Sequence, residues 1–123
     1  MAEALKTKFD EELNKLKQLE KDKERYISNR QQLESQLTEN NLVKNEFDLL
    51  DDDAKIYKLI GAVLVKQDVV EAKANVGKRL EYINAEIKRV EDNLSDFNEK
   101  SKEQKEKVLA IQEKFKRAVA PSQ

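Results

Sequence analysis

Apolar residues recur at alternating intervals of four and three along the second half of the chain, and this repeat constrains the fold most strongly. Twelve of its fifteen positions are apolar. These positions form a continuous apolar stripe along one side of a helix, which we call the seam. A seam of this length predicts a coiled-coil helix, which we place at about residues 68–118. Asp68, with Glu71 three residues later, fits a capping box at the helix start, and Pro121 is expected to end the helix. The fifteen positions are Val69, Lys73, Val76, Leu80, Ile83, Ile87, Val90, Leu94, Phe97, Ser101, Gln104, Val108, Ile111, Phe115 and Ala118.

The first half of the chain carries a weaker form of the same repeat, in which eight of thirteen positions are apolar. It predicts another coiled-coil helix at about residues 4–48. Three consecutive acids, Asp51 to Asp53, would oppose the dipole at a helix C-terminus, so the helix is expected to end at or before them. The thirteen positions are Leu5, Phe9, Glu12, Leu16, Leu19, Lys23, Tyr26, Arg30, Leu33, Leu37, Asn40, Lys44 and Phe47.

The stretch between the two helices, IYKLIGAVLVKQ, is typical of a β-hairpin, which we place at about residues 55–67. Gly61 and Ala62 divide two short apolar runs and suit a type II′ turn, which needs glycine at its first central position. The turn would pair Ile60 with Val63, and the strand pairs continue from there. One face then carries Ile56, Ile60, Val63 and Val65, and the other carries Tyr57, Leu59 and Leu64.

Both faces of this hairpin are apolar, whereas a hairpin wetted on one side alternates apolar and polar residues. A lone two-stranded hairpin is also marginal in water. We therefore expect the seven apolar residues to pack against strands of partner chains.

The apolar positions of the two seams face each other when the hairpin folds the chain back on itself. In this arrangement the sequence positions of two facing residues add up to about 123 or 124. Tyr26 is expected to meet Phe97, Leu19 to face Gln104, and Lys23 to face Ser101. The segment 98–107 holds no apolar residue, which predicts a weak joint between the helices. The expected fold is a single, mainly α domain over residues 1–123, with a long antiparallel two-helix coiled coil joined by one β-hairpin.

The composition excludes several classes of function. Histidine is absent, which removes the commonest general base and the commonest metal ligand, and cysteine is absent, which removes thiolate ligands. Lys+Arg 24 and Asp+Glu 25 nearly cancel, so no basic footprint for nucleic acid is present. Asp51 to Asp53 lack calcium-loop spacing, and Gly61 with Lys66 does not complete a phosphate loop. We expect no enzyme activity, cofactor, metal site, membrane span or signal peptide, and a cytosolic location.

The apolar residues near both chain ends allow two interpretations. They pack within the seam, or they form an exposed surface that binds another apolar surface. The residues are Leu5, Phe9, Leu13, Ile111, Phe115 and Val119. Gly77, inside the second helix, also has two interpretations: a position without special purpose, or one where neighbouring backbone approaches closely.

The hairpin sequence at 56–67, the run VGKRLEYINAEIKR at 76–89 and the antiparallel helices around them resemble the eukaryotic β-type subunits of prefoldin over essentially the whole chain. The resemblance implies a cytosolic co-chaperone in which two α-type and four β-type subunits join their hairpins into β-barrels. Its coiled-coil tips would hold unfolded proteins such as actin and tubulin and pass them to the group II chaperonin without using ATP. The alternative from the pattern alone is a structural coiled-coil scaffold or adaptor that binds one specific partner.

Overall fold

Two long helices and one β-hairpin make up the computed structural model, which describes residues 2–120. Helix α1 spans Ala2–Asp48, strand β1 spans Ile56–Ile60, strand β2 spans Val63–Gln67 and helix α2 spans Val69–Val119. The predicted fold class, mainly helical with one antiparallel hairpin, is confirmed. Pro121 lies outside the described residues, so its expected role in ending α2 stays a prediction.

The chain divides into two compact units, each of which contains part of both helices. The hairpin unit comprises residues 30–89 and therefore includes both strands. The terminal unit comprises residues 1–29 and 90–123, of which 2–29 and 90–120 are described.

The hairpin has the predicted register, with Ile60 opposite Val63 and Ile56 opposite Gln67. Gly61 has φ 60°, and no non-glycine residue in the described part of the chain has a positive φ. A type I′ turn would need positive φ at both central residues, whereas type II′ needs it only at the first. The positive φ at Gly61 alone therefore fits a type II′ turn. This turn sets the register of the strands, and with it the face on which each side chain lies.

Helix α2 begins as the sequence indicates, although only half of the expected capping box forms. The carboxylate of Asp68 accepts a hydrogen bond of 3.1 Å from the N–H of Val70, and the Asp68 carbonyl accepts one of 2.9 Å from the N–H of Ala72. Within residues 2–120, the Asp68 N–H donates no hydrogen bond to the carboxylate of the exposed Glu71. Asp68 alone therefore caps the helix, and the reciprocal part of the capping-box prediction is wrong.

The apolar seam of α2 forms most of the core in each unit. In the hairpin unit the buried apolar residues are Leu33, Val69, Ala72, Val76, Leu80 and Ile83. In the terminal unit Val90 is fully buried, and Val108 is also buried. The aromatic rings of Tyr26 and Phe97 lie 5.1 Å apart, centroid to centroid, which confirms that predicted pair.

Two further features bear on the expectations from the sequence. A Cβ atom built on Gly77 would meet no atom within 4 Å, other than its own chain neighbours and the adjacent helix backbone. No close backbone approach within the described chain therefore requires glycine there. Over residues 2–120, neither helix carries an apolar stretch long enough to cross a membrane.

Candidate assembly and client-binding surfaces

The seven apolar residues of the hairpin, which we call the hairpin surface, are left uncovered by the chain itself. Ile56 is half-buried, and the other six are exposed, with Leu59 at 67% and Leu64 at 66%. Leu59 and Leu64 are cross-strand partners, so they share one face, whereas Ile60 and Val63 share the other. Both apolar faces therefore meet solvent in the isolated chain. The members of the surface are Ile56, Tyr57, Leu59, Ile60, Val63, Leu64 and Val65.

The strands also have open edges. Within the described residues the sheet has two strands, and β1 and β2 pair only with each other. Each strand consequently presents one row of backbone N–H and C=O groups without a ladder partner. Such an edge is a template for an added strand, and these edges adjoin apolar side chains on both faces.

A cleft of about 330 Å³ lies within the hairpin unit and is walled by the hairpin on one side and by the helices on the other. Tyr57 and Leu59 line it from β1, Val43 and Phe47 from α1, and Arg79 from α2. We call it the hairpin cleft. It extends the apolar surface of the strands onto the adjoining helices.

The segment between α1 and β1 is held by a residue whose role the sequence did not indicate. The ammonium of Lys73 donates a hydrogen bond of 2.9 Å to the Leu50 carbonyl, and it lies 3.9 Å from the Asp52 carboxylate. The last turn of α1 carries no basic residue, so Lys73 supplies from α2 the positive charge that a helix C-terminus favours. Lys73 occupies a seam position, and the repeat alone gave no sign of this contact.

Most of the apolar residues near the chain ends are partly covered by the chain itself. Five of them, from Leu5 to Phe115, are half-buried, and only Val119 is exposed, at 53%. Phe9 and Phe115 line one cleft of about 340 Å³ in the terminal unit. Lys6, Asp10, Gln112 and Lys116 complete its lining, and we call it the terminal cleft. Leu5, Leu13, Ile111 and Val119 do not line it.

The weak joint predicted at residues 98–107 contains two buried polar side chains in the terminal unit. The side-chain amide of Gln104 donates to the Glu12 carbonyl at 2.8 Å and to the Glu12 carboxylate at 2.6 Å. The sequence predicted Leu19 as the residue that faces Gln104. The side chain of Leu19 cannot accept a hydrogen bond, so that prediction did not include the bonds to Glu12. Ser101 is also buried, and its Oγ makes no hydrogen bond within the described chain. The expected contact between Lys23 and Ser101 therefore includes no hydrogen bond to that hydroxyl.

The Gln104 contact changes the acidity of its partner. The hydrogen bond from Gln104, followed by that from Lys15, lowers the pKa of Glu12 below its ordinary value of 4.5. Donors near the carboxylate stabilise its charged form more than its neutral form. The contact is therefore strongest when Glu12 is ionised.

Comparisons with known proteins agree with this architecture. The family model described as "Prefoldin subunit" matches residues 10–117. The chain is 51% identical to "Prefoldin subunit 6" of Homo sapiens over 120 residues, which cover 98% of this chain and 93% of the relative. It is 55% identical to "Probable prefoldin subunit 6" of Caenorhabditis elegans over 108 residues, which cover 88% and 86%.

A solved structure shows the same fold. The match is to the crystal structure of the prefoldin beta subunit from Thermococcus strain KS-1, with a TM-score of 0.72 and 23% sequence identity. It covers 94% of this chain and 95% of the Thermococcus chain. Given the family match over residues 10–117 and relatives above 50% identity across nearly the whole chain, this protein belongs to the prefoldin subunit family.

Proposed function

We propose that this chain is a β-type subunit of a hetero-hexameric prefoldin co-chaperone, assembled through its hairpin surface. The observation that carries the proposal is an apolar hairpin exposed on both faces and open at both edges. In this role the complex captures unfolded proteins such as actin and tubulin without ATP and passes them to the cytosolic group II chaperonin. The client, the transfer step and the cytosolic location rest on what the family resemblance implies.

The exposed apolar side chains of the hairpin would favour assembly when a neighbouring subunit covers them. Fully burying one aliphatic or aromatic side chain contributes roughly 1.5–3 kcal/mol. Leu59 and Leu64 keep about two thirds of their accessible surface on one face, and Ile60 and Val63 keep more than half on the other. Strands from neighbouring subunits would cover these faces and pair the open edges in the same step. Neighbours with complementary hairpins are therefore the natural partners.

The test of assembly is the double variant Ile60→Asp with Leu64→Asp, which places one carboxylate on each face of the hairpin. The matched control is Leu49→Asp with Leu109→Asp, two exposed leucines outside the hairpin. Native mass spectrometry with the other subunits should show the control in a hexamer and the hairpin variant as a free chain, and circular dichroism of the free hairpin variant should show normal helical content. Hexamer formation at wild-type level by the hairpin variant would show that the hairpin does not mediate assembly. A wild-type chain that forms only monomers or homodimers would favour the scaffold alternative.

Client capture by the terminal unit is supported by the terminal cleft and its two phenylalanines. Since Phe9 and Phe115 are half-buried there, one subunit would give only a weak apolar hold. Several subunits on one complex would strengthen the hold through effective concentration, often by about 10²- to 10⁴-fold. Weak sites of this kind suit varied unfolded clients better than one rigid pocket does.

The experiment on clients removes the apolar residues at both chain ends. A chain truncated after Val108, with Leu5, Phe9 and Leu13 replaced by serine, is placed in an otherwise wild-type hexamer. We expect normal assembly and weaker suppression of aggregation of unfolded actin, with little dependence on salt. Unchanged suppression when all β-type subunits are trimmed at the corresponding ends would contradict client binding there. A strong loss of wild-type capture in salt would assign binding to the charged helix faces instead.

A further inference from the structure

Arg79 differs from every other arginine in the chain. The sequence has five arginines, and each of the other four pairs with a carboxylate three or four residues away in its own helix. Those four are Arg25, Arg30, Arg89 and Arg117. The positions three and four residues from Arg79 hold no acid, since they are Asn75, Val76, Tyr82 and Ile83. Across residues 2–120 no carboxylate lies within 4.0 Å of the Arg79 guanidinium, so its charge is available to a partner.

Arg79 lies where two openings of the hairpin unit adjoin. It lines the hairpin cleft together with Tyr57 and Leu59. It also lines a shallow groove of about 440 Å³ along the helices, together with Gln36, Asn40, Lys78, Tyr82 and Ile83. We call this second opening the helix groove. The Arg79 side chain therefore borders both openings, which together form one surface from β1 to the exposed side of α2.

The charges along this surface are all of one sign. Lys58 and Arg79 are the charged residues that line the hairpin cleft, and Lys78 and Arg79 are those that line the helix groove. The described lining of both openings includes no aspartate or glutamate. Because the whole chain has nearly equal numbers of acids and bases, this concentration of positive charge is local. It complements an acidic partner segment.

Exposed apolar side chains accompany these cations. Tyr82 is 66% exposed beside Arg79 in the helix groove, and Tyr57, Leu59 and Val43 are exposed around the hairpin cleft. Tyrosine and arginine are enriched among the residues that dominate protein–protein affinity. The occupant that fits is therefore a segment with both a carboxylate and apolar side chains.

We propose that Arg79 anchors a further assembly contact, in which its guanidinium binds a carboxylate of the neighbouring prefoldin subunit whose hairpin packs against this one. The proposal rests on assembly through the hairpin, because Tyr57 and Leu59 belong both to the hairpin surface and to the hairpin cleft. A subunit that covers this face of β1 comes next to Arg79. The planar guanidinium can hold a carboxylate through two parallel hydrogen bonds, which fixes orientation as well as proximity.

The test compares charge changes at Arg79 with the same change at a matched position. Arg79→Gln removes the charge, Arg79→Glu reverses it, and Lys88→Glu reverses an exposed charge on the same helix that lines neither opening. The Kd of each labelled subunit for the remainder of the complex is measured by competition with the wild-type chain. We expect a rise of about 30-fold for Arg79→Gln, as for an interface hot spot, a larger rise for Arg79→Glu, and no change for Lys88→Glu.

Three measurements separate this contact from a structural effect. Because Arg79 makes no ion pair in the described chain, circular dichroism of the free variants should match that of the wild type. Added salt should raise the Kd of the wild type more steeply than that of Arg79→Gln. A photo-crosslinking residue at position 79 should react with an acidic segment of a prefoldin subunit, whereas the same residue at position 88 should not.

The results also distinguish failure of this proposal from failure of assembly through the hairpin. If both Arg79 variants bind as the wild type does while Ile60→Asp with Leu64→Asp does not assemble, the hairpin proposal stands and the Arg79 contact is refuted. Crosslinks from position 79 that reach only a protein outside the complex refute it as well. If the hairpin variant assembles normally, the basis for both proposals is lost.

Discussion

Replacement of Ser101 by alanine tests whether the polar segment of α2 weakens the packing of the terminal unit. Ser101 occupies a seam position, is only 4% exposed, and its hydroxyl has no hydrogen-bond partner in the described chain. Folding therefore removes this hydroxyl from water without replacing the lost hydrogen bonds. Alanine removes the unsatisfied group and changes the side-chain volume little, so no large cavity follows. We expect the Ser101→Ala chain to be more stable than the wild type.

The magnitude follows from two contributions. A buried polar group without a partner costs about 1–3 kcal/mol of desolvation free energy. Alanine also has a higher helix propensity than serine, by at most roughly 0.7 kcal/mol. Ser95, on the same helix, is exposed, so Ser95→Ala gains only the propensity. The free energy of unfolding should therefore rise by about 1–3 kcal/mol more for Ser101→Ala than for Ser95→Ala.

The assay is urea unfolding of the full chain followed by circular dichroism, with all variants fitted to a common m value. In thermal scans, 1 kcal/mol corresponds to a Tm shift of roughly 3–6 °C for a chain of this size. Equal stabilisation by the two alanine variants would refute the reasoning, because it would show that the Ser101 hydroxyl costs nothing in the folded chain.

Three further predictions concern the same helices and the turn. Because the pKa of Glu12 is lowered on folding, its hydrogen bond with Gln104 should stabilise the folded chain fully above pH 4.5, and this contribution should be lost as the pH falls through the folded-state pKa. A Gln104→Leu chain whose free energy of unfolding depends on acid pH as that of the wild type does would contradict this. Hydrogen exchange should be faster in residues 98–107 than in the helices of the hairpin unit, and uniform protection would argue against a weak joint. Gly61→Ala should destabilise the hairpin by about 1–2 kcal/mol because residue 61 has a positive φ, whereas Gly77→Ala should stabilise α2 by about 1 kcal/mol. Urea unfolding measures both changes, and a change of the opposite sign would contradict the prediction for that glycine.

Local rules were sufficient for the elements and for the register of the hairpin. The alternation of four and three places the seam residues of α2 on one side, because a helix returns to the same face at those intervals, whereas Val70, Tyr82 and Leu109 lie off the seam and are exposed. Glycine at position 61 permits the positive φ that the turn needs, and the turn length then pairs Ile60 with Val63. The hairpin sequence also placed apolar residues on both faces, and six of those seven residues are exposed in the structure.

The partners of individual polar side chains were decided only by the tertiary structure. The repeat placed Lys73, Ser101 and Gln104 on the seam without indicating that Lys73 would bind a carbonyl of Leu50 or that Gln104 would bind Glu12. The partial burial of the apolar residues near the chain ends was likewise decided by the tertiary structure. A periodic pattern fixes the face of a helix on which a residue lies, because every turn repeats the same geometry. It does not fix where a long side chain ends, because that depends on the rotamer it adopts and on which donors and acceptors the facing helix brings within about 3 Å of it.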